Sequence, residues 1–425
     1  MRIFPWILLC CLLSRLVMAE DAQGQWWKGN LHTHSLWSDG NDYPEMIADW
    51  YKEHGYNFLG LSDHNVIANQ ERWLPITNAK GGGVALSKYL ARWGEPWVER
   101  REINGKQEVR LKMLSEFRVP LEEPGRFLLI PMEEITGPNV HVNATNIQEP
   151  ILPYSGGGGN PRDSEAVVKA MQYAVSAVLD QRSRLGIPMF PHINHPNFKW
   201  AITAEELVQV KGDQFFEIYN GHPIVYNAGD ALHASIDRVW DIVLTTQVGK
   251  LKMAPLFGLA TDDAHQYFNE PKKMSRPGRG WVMVRAAKLE TAALIAAMEA
   301  GDFYASSGVT LKDVRRANNE LSLEIATEPG VTYTTEFIGT RRGYNTASEP
   351  ILGSDGRPLR VTHVYSSELG AVLATVQGAK ASYTLQGNEI YVRARVTSSK
   401  PKKDPAEPGE VEKAWTQPLA GISIE

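Results

Sequence analysis

Apolar segments of β-strand length alternate with segments of helical periodicity between about residue 26 and residue 308. Strand candidates lie at 29–34, 58–62, 127–132, 188–193, 215–219, 256–261 and 280–284, and helical stretches follow at 43–55, 163–185 and 288–299. A capping box at 203–206 predicts a further short helix. This alternation is typical of parallel strands joined by crossover helices, so it predicts an α/β barrel or wound sheet.

The pattern changes after about residue 310. Helix signals vanish there, and short alternating segments at 321–325, 333–338, 371–376 and 390–396 predict a smaller β-sandwich over residues 310–425. The large α/β domain then covers residues 20–309. Within it, an insertion over about 70–123 is rich in Trp, Arg and Glu and is longer than a connector needs, so we expect either a lid or pocket wall or a peripheral excursion.

Residues 1–19 have the pattern of a secretory signal peptide. An apolar run follows Arg2, and small or permissive residues precede a cleavage point before Glu20. The alternative is an N-terminal membrane anchor, but polar residues interrupt a run that is already too short to span a bilayer. Cys10 and Cys11 both lie in this segment, which leaves the mature chain no disulfide and no thiolate ligand for zinc. We therefore expect a periplasmic or secreted protein with no membrane span after cleavage.

The charge of the mature chain limits its partners. Removal of residues 1–19 takes away two arginines and no acidic residue, which leaves 42 basic against 49 acidic side chains and a net charge of −7. Such a chain does not attract a polyanion, so no nucleic acid partner is expected. A small anionic substrate is compatible with it, because local cations can oppose the overall charge. The sequence indicates no oligomeric state.

Histidines and acidic residues recur where five of the predicted strands end. They are His32, His34 and Asp39; Asp63 and His64; Glu133, Glu134 and His141; His192 and His195; and Asp262, Asp263 and His265. In parallel α/β folds the carboxyl ends of the strands converge on one side. A buried cluster of imidazoles and carboxylates would suffer desolvation and repulsion unless divalent cations balanced it. The recurrence therefore predicts a metal site.

These residues and their order resemble the PHP (polymerase and histidinol phosphatase) metallohydrolases. The shared features are His-x-His near the start, Ser-Asp-His, a Glu after the third strand, a following His, a His-Pro and a closing Asp-x-His, over residues 29 to about 308. The likeness is greatest to secreted members with a C-terminal β domain, a group that includes a carbamate-ester hydrolase. It implies a distorted (β/α)7 TIM-like barrel that holds two or three divalent metal ions. Mixed nitrogen and oxygen ligands suit Zn, Mn or Fe and do not choose among them.

Carried over position by position, the resemblance implies a set of metal ligands. They are His32, His34, Asp39, His64, Glu134, His141, His195, Asp263 and His265. Asp39 stands where many family members have a histidine and others an aspartate, so the third metal position depends on it.

Four neighbouring residues have open or secondary roles. Glu133 could replace Glu134 as the ligand, and Asp262 could replace Asp263, although the motif spacing favours the second residue of each pair. Asp63 is expected to orient a ligand or a metal-bound water. His192 is expected to be a strand histidine rather than a ligand.

The expected activity is hydrolysis of a phosphoester by a metal-activated hydroxide, since such a centre lowers the pKa of bound water toward neutrality. Arg279 precedes the candidate strand 280–284 and is the expected contact for an anionic substrate. Lys272 and Lys273 are expected to form a solvated basic loop.

Two other functions stay open. The same metals can hydrolyse carbamate, carboxyl-ester or amide bonds, and an apolar wall of Trp73, Trp93 and Trp97 would favour that chemistry. The third possibility is a non-catalytic, metal-dependent binding protein. Such a protein would lack some of the ligands, yet every position of the motif set except the variable Asp39 carries a competent residue.

Overall fold

The structure is a computed structural model that describes residues 24–156, 163–268 and 274–421. It is a mixed α/β protein with one large central sheet and several smaller sheets. The predicted signal peptide, together with Lys272 and Lys273, lies outside the described residues. Within the described part, no helix combines the length and the apolar character needed to cross a membrane.

Strands and helices alternate in the first part of the chain. The strands are β1 (Gln25–Asn30), β2 (Phe58–Leu61), β3 (Arg72–Pro75), β4 (Arg100–Ile103), β5 (Lys106–Leu111), β6 (Leu128–Thr136), β7 (His141–Thr145), β8 (Phe190–Ile193), β9 (Phe215–Asn220), β10 (Phe257–Thr261), β11 (Trp281–Ala286) and β12 (Phe303–Ser306). The α-helices are α1 (Pro44–Glu53), α2 (Gly82–Trp93), α3 (Leu114–Leu121), α4 (Ser164–Leu185), α5 (Ala204–Leu207), α6 (Ile236–Leu244) and α7 (Thr291–Glu299). Short 3₁₀ helices cover Ile76–Asn78 and Phe198–Trp200, and α6 continues into a π-helix over Thr245–Leu251.

The chain after residue 310 contains strands and, within the described residues, no helix, as its pattern predicts. The strands are β13 (Leu311–Ala317), β14 (Glu320–Ile325), β15 (Tyr333–Arg341), β16 (Ser348–Glu349), β17 (Val364–Tyr365), β18 (Ala371–Gln377), β19 (Lys380–Thr384), β20 (Glu389–Pro401), β21 (Val411–Thr416) and β22 (Leu419–Ala420). Separate small sheets are formed by β13, β14 and β19 and by β16 and β17.

The central sheet has the order β10-β9-β8-β7-β6-β2-β1-β11-β12-β21-β20-β15-β18, with β22 beside β20. β1, β2 and β6 are parallel to one another, and so are β8, β9 and β10. β7 lies between these two groups and is antiparallel to both β6 and β8, so all six other strands run the same way. An isolated parallel bridge between Thr33 and Ala264 joins the chain just after β1 to the chain just after β10. The strand ends on this side of the sheet therefore come together.

The expectation of uniformly parallel strands is wrong at β7 and at β11. Only residues 137–140 connect β6 to β7, and a connection this short makes a hairpin, because a parallel crossover needs a dozen residues or more. The segment that begins at His141 was expected to follow a strand and instead starts one. β11 is likewise antiparallel to β1 and to β12.

Local signals in the sequence set the starts of two helices. Asp163 caps α4, with its carboxylate accepting the N–H of Glu165 at 3.1 Å. At α5 the Thr203 hydroxyl accepts the N–H of Glu206, and the Glu206 carboxylate accepts the N–H of Thr203 at 2.9 Å. Each cap satisfies amide groups that have no partner inside the helix.

The insertion folds into a unit of its own on the outside of α1. Its strands β3, β5 and β4 form a small antiparallel sheet beside α2 and α3. Tyr89 of α2 stacks on Tyr43 with the ring centroids 4.1 Å apart, and the Trp97 Nε1 donates to Glu45 of α1 at 3.1 Å. Trp93 stacks on Trp97, and both rings pack against the apolar side chains of this unit. These two tryptophans are therefore part of its core.

The C-terminal strands are continuous with the central sheet and also contact the helices. β21 pairs with β12. The C-terminal strands therefore continue the sheet that the first part of the chain begins. The buried Arg393 of β20 donates from Nε to Asp241 Oδ1 at 2.8 Å and from Nη2 to Asp241 Oδ2 at 2.7 Å. Arg360 makes a similar fork to Glu206 at 2.8 and 2.6 Å. Two bidentate ion pairs thus fix α5 and α6 to the C-terminal part.

We expect Arg393→Met to lower the free energy of unfolding by about 3–5 kcal/mol, because it leaves the carboxylate of Asp241 buried without its partner. Urea denaturation followed by circular dichroism measures the change. Arg315→Met is the matched control, since Arg315 pairs with Asp313 at the surface and its loss should matter little. Equal losses of stability in the two variants would contradict the proposed importance of the buried pair.

Candidate metal centre

All nine predicted ligands lie in one cluster where the strand ends meet. His32 and His34 follow β1, His64 follows β2, and Glu134 lies near the end of β6. The remaining members are Asp39 in the turn after His34, His141 at the start of β7, His195 after β8, and Asp263 and His265 after β10. Because β7 runs antiparallel, its first residue lies on the same side as the last residues of its neighbours. This direction brings His141 to the cluster.

The ligand atoms fall into groups that are each small enough to surround one ion. In each group the atoms lie within 4.8 Å of one another: His34, Asp39, His64 and His265; His32, His34 and Asp263; His32, Glu134 and His195; and His32, His192 and Glu217. His32 and His34 belong to more than one group. The cluster therefore offers several overlapping groups, each of which could hold a divalent metal ion.

Glu134 and Asp263 each face several imidazoles. Glu134 Oε1 lies 3.4 Å from His32 Nε2, and Glu134 Oε2 lies 3.4 Å from His34 Nε2. Asp263 Oδ1 lies 3.3 Å from His32 Nε2 and 3.2 Å from His34 Nε2. Carboxylates placed in this way between histidines can bridge two cations.

Several ligand atoms in this cluster are buried and have no hydrogen-bond partner in the described residues. They are His32 Nε2 and both ring nitrogens of His34. A buried polar atom without a partner costs free energy, and native structures rarely keep one without a reason. Imidazole nitrogens and carboxylate oxygens that converge in this way are the donors that divalent metals take. The residues present therefore fit a metal centre.

The electrostatics of the cluster act differently on its histidines: for His32 burial acts downward, but Asp263 and Glu217 outweigh it and hold the pKa of His32 well above its usual range. Burial, together with the charges of His265 and His64, lowers the pKa of His34 to about 3. For Glu134 burial acts upward, but His141 and His64 outweigh it and hold the pKa of Glu134 well below its usual range. At neutral pH a deprotonated imidazole thus faces an ionised carboxylate, which is the protonation state in which both bind a cation.

Glu217 belongs to the site and was missed by the sequence analysis. Its Oε1 lies 2.6 Å from His32 Nδ1 and accepts the Thr261 hydroxyl at 2.8 Å, while its Oε2 accepts the His195 N–H at 2.8 Å. It lies inside β9, in an apolar strand that is buried throughout, and not at a strand end. The available signal was a single acid in a buried strand, since such residues are almost never buried without a partner.

Glu217 orients His32. A carboxylate hydrogen-bonded to one ring nitrogen fixes the tautomer of the imidazole. The other nitrogen, here Nε2, is then available as a ligand for a metal ion. His192 of β8 is also close, with its Nε2 3.6 Å from Glu217 Oε1. Its assignment as a strand histidine or as a ligand stays a prediction.

The structure separates the members of the two ambiguous pairs. Glu133 points away from the cluster and accepts the N–H of Ile151 at 2.5 Å. Asp262 accepts three backbone N–H groups, those of residues 278–280, and the hydroxyl of Tyr51 at 2.7 Å. Glu134 and Asp263 are the residues that face the histidines. This is the arrangement that the motif spacing favours.

Asp63 holds the turn that carries the first ligands. Its carboxylate accepts the N–H of Ser35 at 2.8 Å, the Ser35 hydroxyl at 2.7 Å and the Ser38 hydroxyl at 2.6 Å. The turn between His34 and Asp39 is thereby fixed to the end of β2. These contacts agree with an orienting role, which stays a prediction.

Arg279 is buried and engaged by other groups. Its Nη1 donates to the carbonyl of Gly221 at 2.8 Å, and its Nη2 lies 3.2 Å from Asp404 Oδ1. Its relative exposure is 1%. The predicted role as an anion contact stays a prediction, and the contacts present hold the segment that leads to His222.

Two aromatic rings that the sequence analysis did not include border the cluster. Phe198 is half-buried, and its ring centroid lies 4.9 Å from that of His195 and 5.9 Å from that of His222. His222 itself lies 5.8 Å from His265, and burial lowers its pKa to about 4. A Cβ atom added to the preceding Gly221 would lie only 2.8 Å from the Arg279 Cβ, so a side chain does not fit there without a shift. His222 follows the end of β9 by two residues, so the strand-end pattern was a signal for it that the sequence analysis did not use, whereas Phe198 has no such signal.

Strained backbone accompanies the site. His195 has φ +21 and Asp263 has φ +49, values in the left-handed region that residues with a side chain seldom adopt. Both are members of the cluster, and such strain persists only where surrounding contacts impose it. Here the His195 N–H bonds to Glu217, and the Asp263 N–H donates to the carbonyl of His32 at 3.0 Å.

Comparison with known proteins does not assign this chain to a family. No protein-family model matches the chain, and no curated protein matches it. Among solved structures, a two-domain protein from Bacteroides vulgatus, described as containing a predicted PHP-like metal-dependent phosphoesterase, is similar over 93% of this chain and 95% of that one. The sequence identity is 14% and the TM-score is 0.37, which is too low to assign the fold.

The buried Glu133 makes stability depend on pH. Burial raises its pKa from 4.5 to about 8, so between these values the folded protein holds a proton that the unfolded chain has released. The stability that this proton gives is lost as pH rises through that window. We expect Glu133→Gln to lose less stability than wild type between pH 5 and pH 8, as measured by urea denaturation at both pH values. Identical slopes for the two proteins would show that Glu133 does not titrate in this range.

The contact from Glu217 to His32 predicts an effect on metal retention. Glu217→Gln should weaken metal affinity by about 10- to 100-fold, because the amide cannot supply the charge that orients His32. Competition with a chelator, followed by metal analysis, measures this. Asp213→Asn is the control, since Asp213 is buried just before β9 and accepts the Phe215 N–H without touching the cluster. A parallel loss in the control would mean that the effect comes from general unfolding of the strand.

Proposed function

We propose that this protein is a metal-dependent hydrolase of the PHP type that acts as a phosphoesterase on a small anionic substrate. The observation that carries the proposal is the largely buried cluster of histidines and carboxylates whose ligand atoms group closely and whose histidine nitrogens include buried ones without a hydrogen-bond partner. The sequence resemblance described above gives the family and the chemistry. Two or three divalent ions, of Zn, Mn or Fe, would be held by the groups of ligands that share His32 and His34.

The proposed fold is the distorted seven-stranded barrel of that family. Seven strands, β1, β2, β6, β7, β8, β9 and β10, follow one another in the sheet, and the Thr33–Ala264 bridge links the first to the last. The proposal extends to a C-terminal β-sandwich that packs on this barrel. The continuous pairing of β12 with β21 supports close association of the two parts.

Bound cations would activate water for attack and offset negative charge on the substrate. The protein's own residues prepare the site for this. Glu217 fixes the tautomer of His32, and Asp63 fixes the turn between His34 and Asp39. The Phe198 ring packs beside His195, with the ring centroids 4.9 Å apart. Each contact limits the motion of a ligand that must hold its position when charge develops.

Hydrolysis of a carbamate, carboxyl ester or amide is the alternative chemistry for the same residues. The tryptophan wall that would favour it does not line the cluster in the described structure, because Trp93 and Trp97 pack inside the insertion unit. Trp73 stacks against Arg101, with the guanidinium 4.1 Å from its ring centroid. No observation therefore favours the alternative over phosphoester hydrolysis.

Residues 1–19 support a further proposal, that the protein is exported to the periplasm or the exterior and meets its substrate there. The net negative charge supports a small molecule rather than a nucleic acid as the partner.

Parallel assays of an aryl phosphate monoester, an aryl phosphodiester and an aryl carboxyl ester test the function, with mature protein loaded separately with Zn, Mn and Fe. We expect metal-dependent turnover of at least one phosphate substrate. Turnover of the carboxyl ester alone would move the assignment to the carbamate or ester class. Silence on all three with metals bound would favour a binding protein.

His34 belongs to two of the groups, so its loss should affect metal content and turnover together. We expect His34→Ala to lose bound metal and activity together. Metal analysis and the phosphatase assay on the same preparation measure both. Full metal content with unchanged turnover would remove His34 from the centre.

A further inference from the structure

Exposure of the candidate ligands is greatest on one side of the cluster. The side chains of His32 and His34 have no exposed surface and that of Glu134 has 1%, whereas Asp39 is 36% exposed and His64 is 26% exposed. His141 and His265 are less open, at 15% and 13%. The widest opening of the cluster therefore lies at Asp39 and His64.

Lys80 of the insertion stands at this opening. Its Nζ lies 3.1 Å from Asp39 Oδ2, and its side chain is 52% exposed. The other oxygen of that carboxylate, Oδ1, lies 3.2 Å from His265 Nε2 and 3.4 Å from His64 Nε2. One oxygen of Asp39 thus faces the ligand histidines and the other faces the lysine. The ammonium group can keep its place whether or not the first oxygen binds an ion.

The backbone around Lys80 is fixed against the loop that carries Asp39. At Gly81 a Cβ would lie 2.1 Å from the carbonyl oxygen of Asn41, so only glycine permits this close approach. Lys88 of α2 adds an ion pair to Asp42 at 2.6 Å. The insertion is therefore docked on the loop of the metal centre with Lys80 at the contact.

Lys80 suits an anionic substrate better than the other described cations. In the described residues, the ion pair that joins a lysine or arginine to the ligand cluster is the one between Lys80 and Asp39. Arg279 is buried against Asp404 and the carbonyl of Gly221. Lys199 lies over the Phe198 ring, 4.8 Å from its centroid.

We propose that Lys80 forms an anion-binding position at the open side of the metal centre and contacts the charged oxygens of the substrate's phosphoryl group. The inference rests on the proposed function and assigns the substrate contact to the insertion. An ammonium group at the opening attracts an anion and gives nothing comparable to a neutral ester, so it selects for charged substrates.

The test uses the metal-loaded full-length protein and inorganic phosphate as the probe. We expect Lys80→Met to weaken phosphate binding, measured by calorimetry, by about 10- to 100-fold, the range for loss of a charge-assisted hydrogen bond. Lys80→Arg should retain most of the affinity. Lys106→Met is the matched control, since it removes a cation from the exposed start of β5 in the same insertion, and it should bind phosphate like wild type.

Metal content is measured for every variant in parallel. Unchanged phosphate affinity in Lys80→Met would overturn the inference, as would a wild-type protein that binds no phosphate. A loss that excess metal restores would also overturn it, because Lys80 would then act only through Asp39. Phosphate binding that depends on Lys80 in a protein without phosphatase turnover would refute the proposed function while upholding the anion site.

Discussion

Burial of many ionisable groups in one small volume is the constraint on which this structure depends. Imidazoles and carboxylates removed from water repel one another and lose hydration, and only opposite charges or bound cations offset that cost. The surrounding fold satisfies the constraint by giving each group a direction. Glu217 holds one histidine from behind, serine hydroxyls hold the carboxylate of Asp63, and backbone strain at His195 and Asp263 is maintained by fixed hydrogen bonds.

The candidate ligands could be predicted because the chemistry repeats at the strand ends. Each of these ends pairs a short apolar run with a histidine or an acid, and both features are local in the sequence. Glu217 could not be found by that rule, since it lies within a strand and serves a ligand instead of being one of the predicted set. His141 lies in the cluster, but for a reason that the sequence analysis did not give. Its presence in the cluster requires a reversed strand, which the short connection after β6 imposes.

Arg279 shows the limit of local argument. Its position before a strand near the closing motif suggested an anion contact, whereas in the structure it pairs with Asp404, far along the chain. A side chain's partner across such a separation depends on tertiary packing that no short pattern encodes. The stretch from 398 to 412 contains the end of β20, Asp404 and the start of β21. The mixed α/β character and the contrast between helix-rich and strand-rich parts were accessible because they depend on periodicity alone.

The pairing of β12 with β21 has a consequence for how the protein is made. β12 ends at Ser306 and its partner begins only at Val411. When synthesis has reached the end of β12, the chain already contains all nine candidate ligands. The sheet, however, still has an unpaired edge at β12. Open edges invite pairing with other chains. While residues 307–410 are being synthesised, the candidate ligands are therefore already present, but the edge of their sheet is unpaired and can promote aggregation.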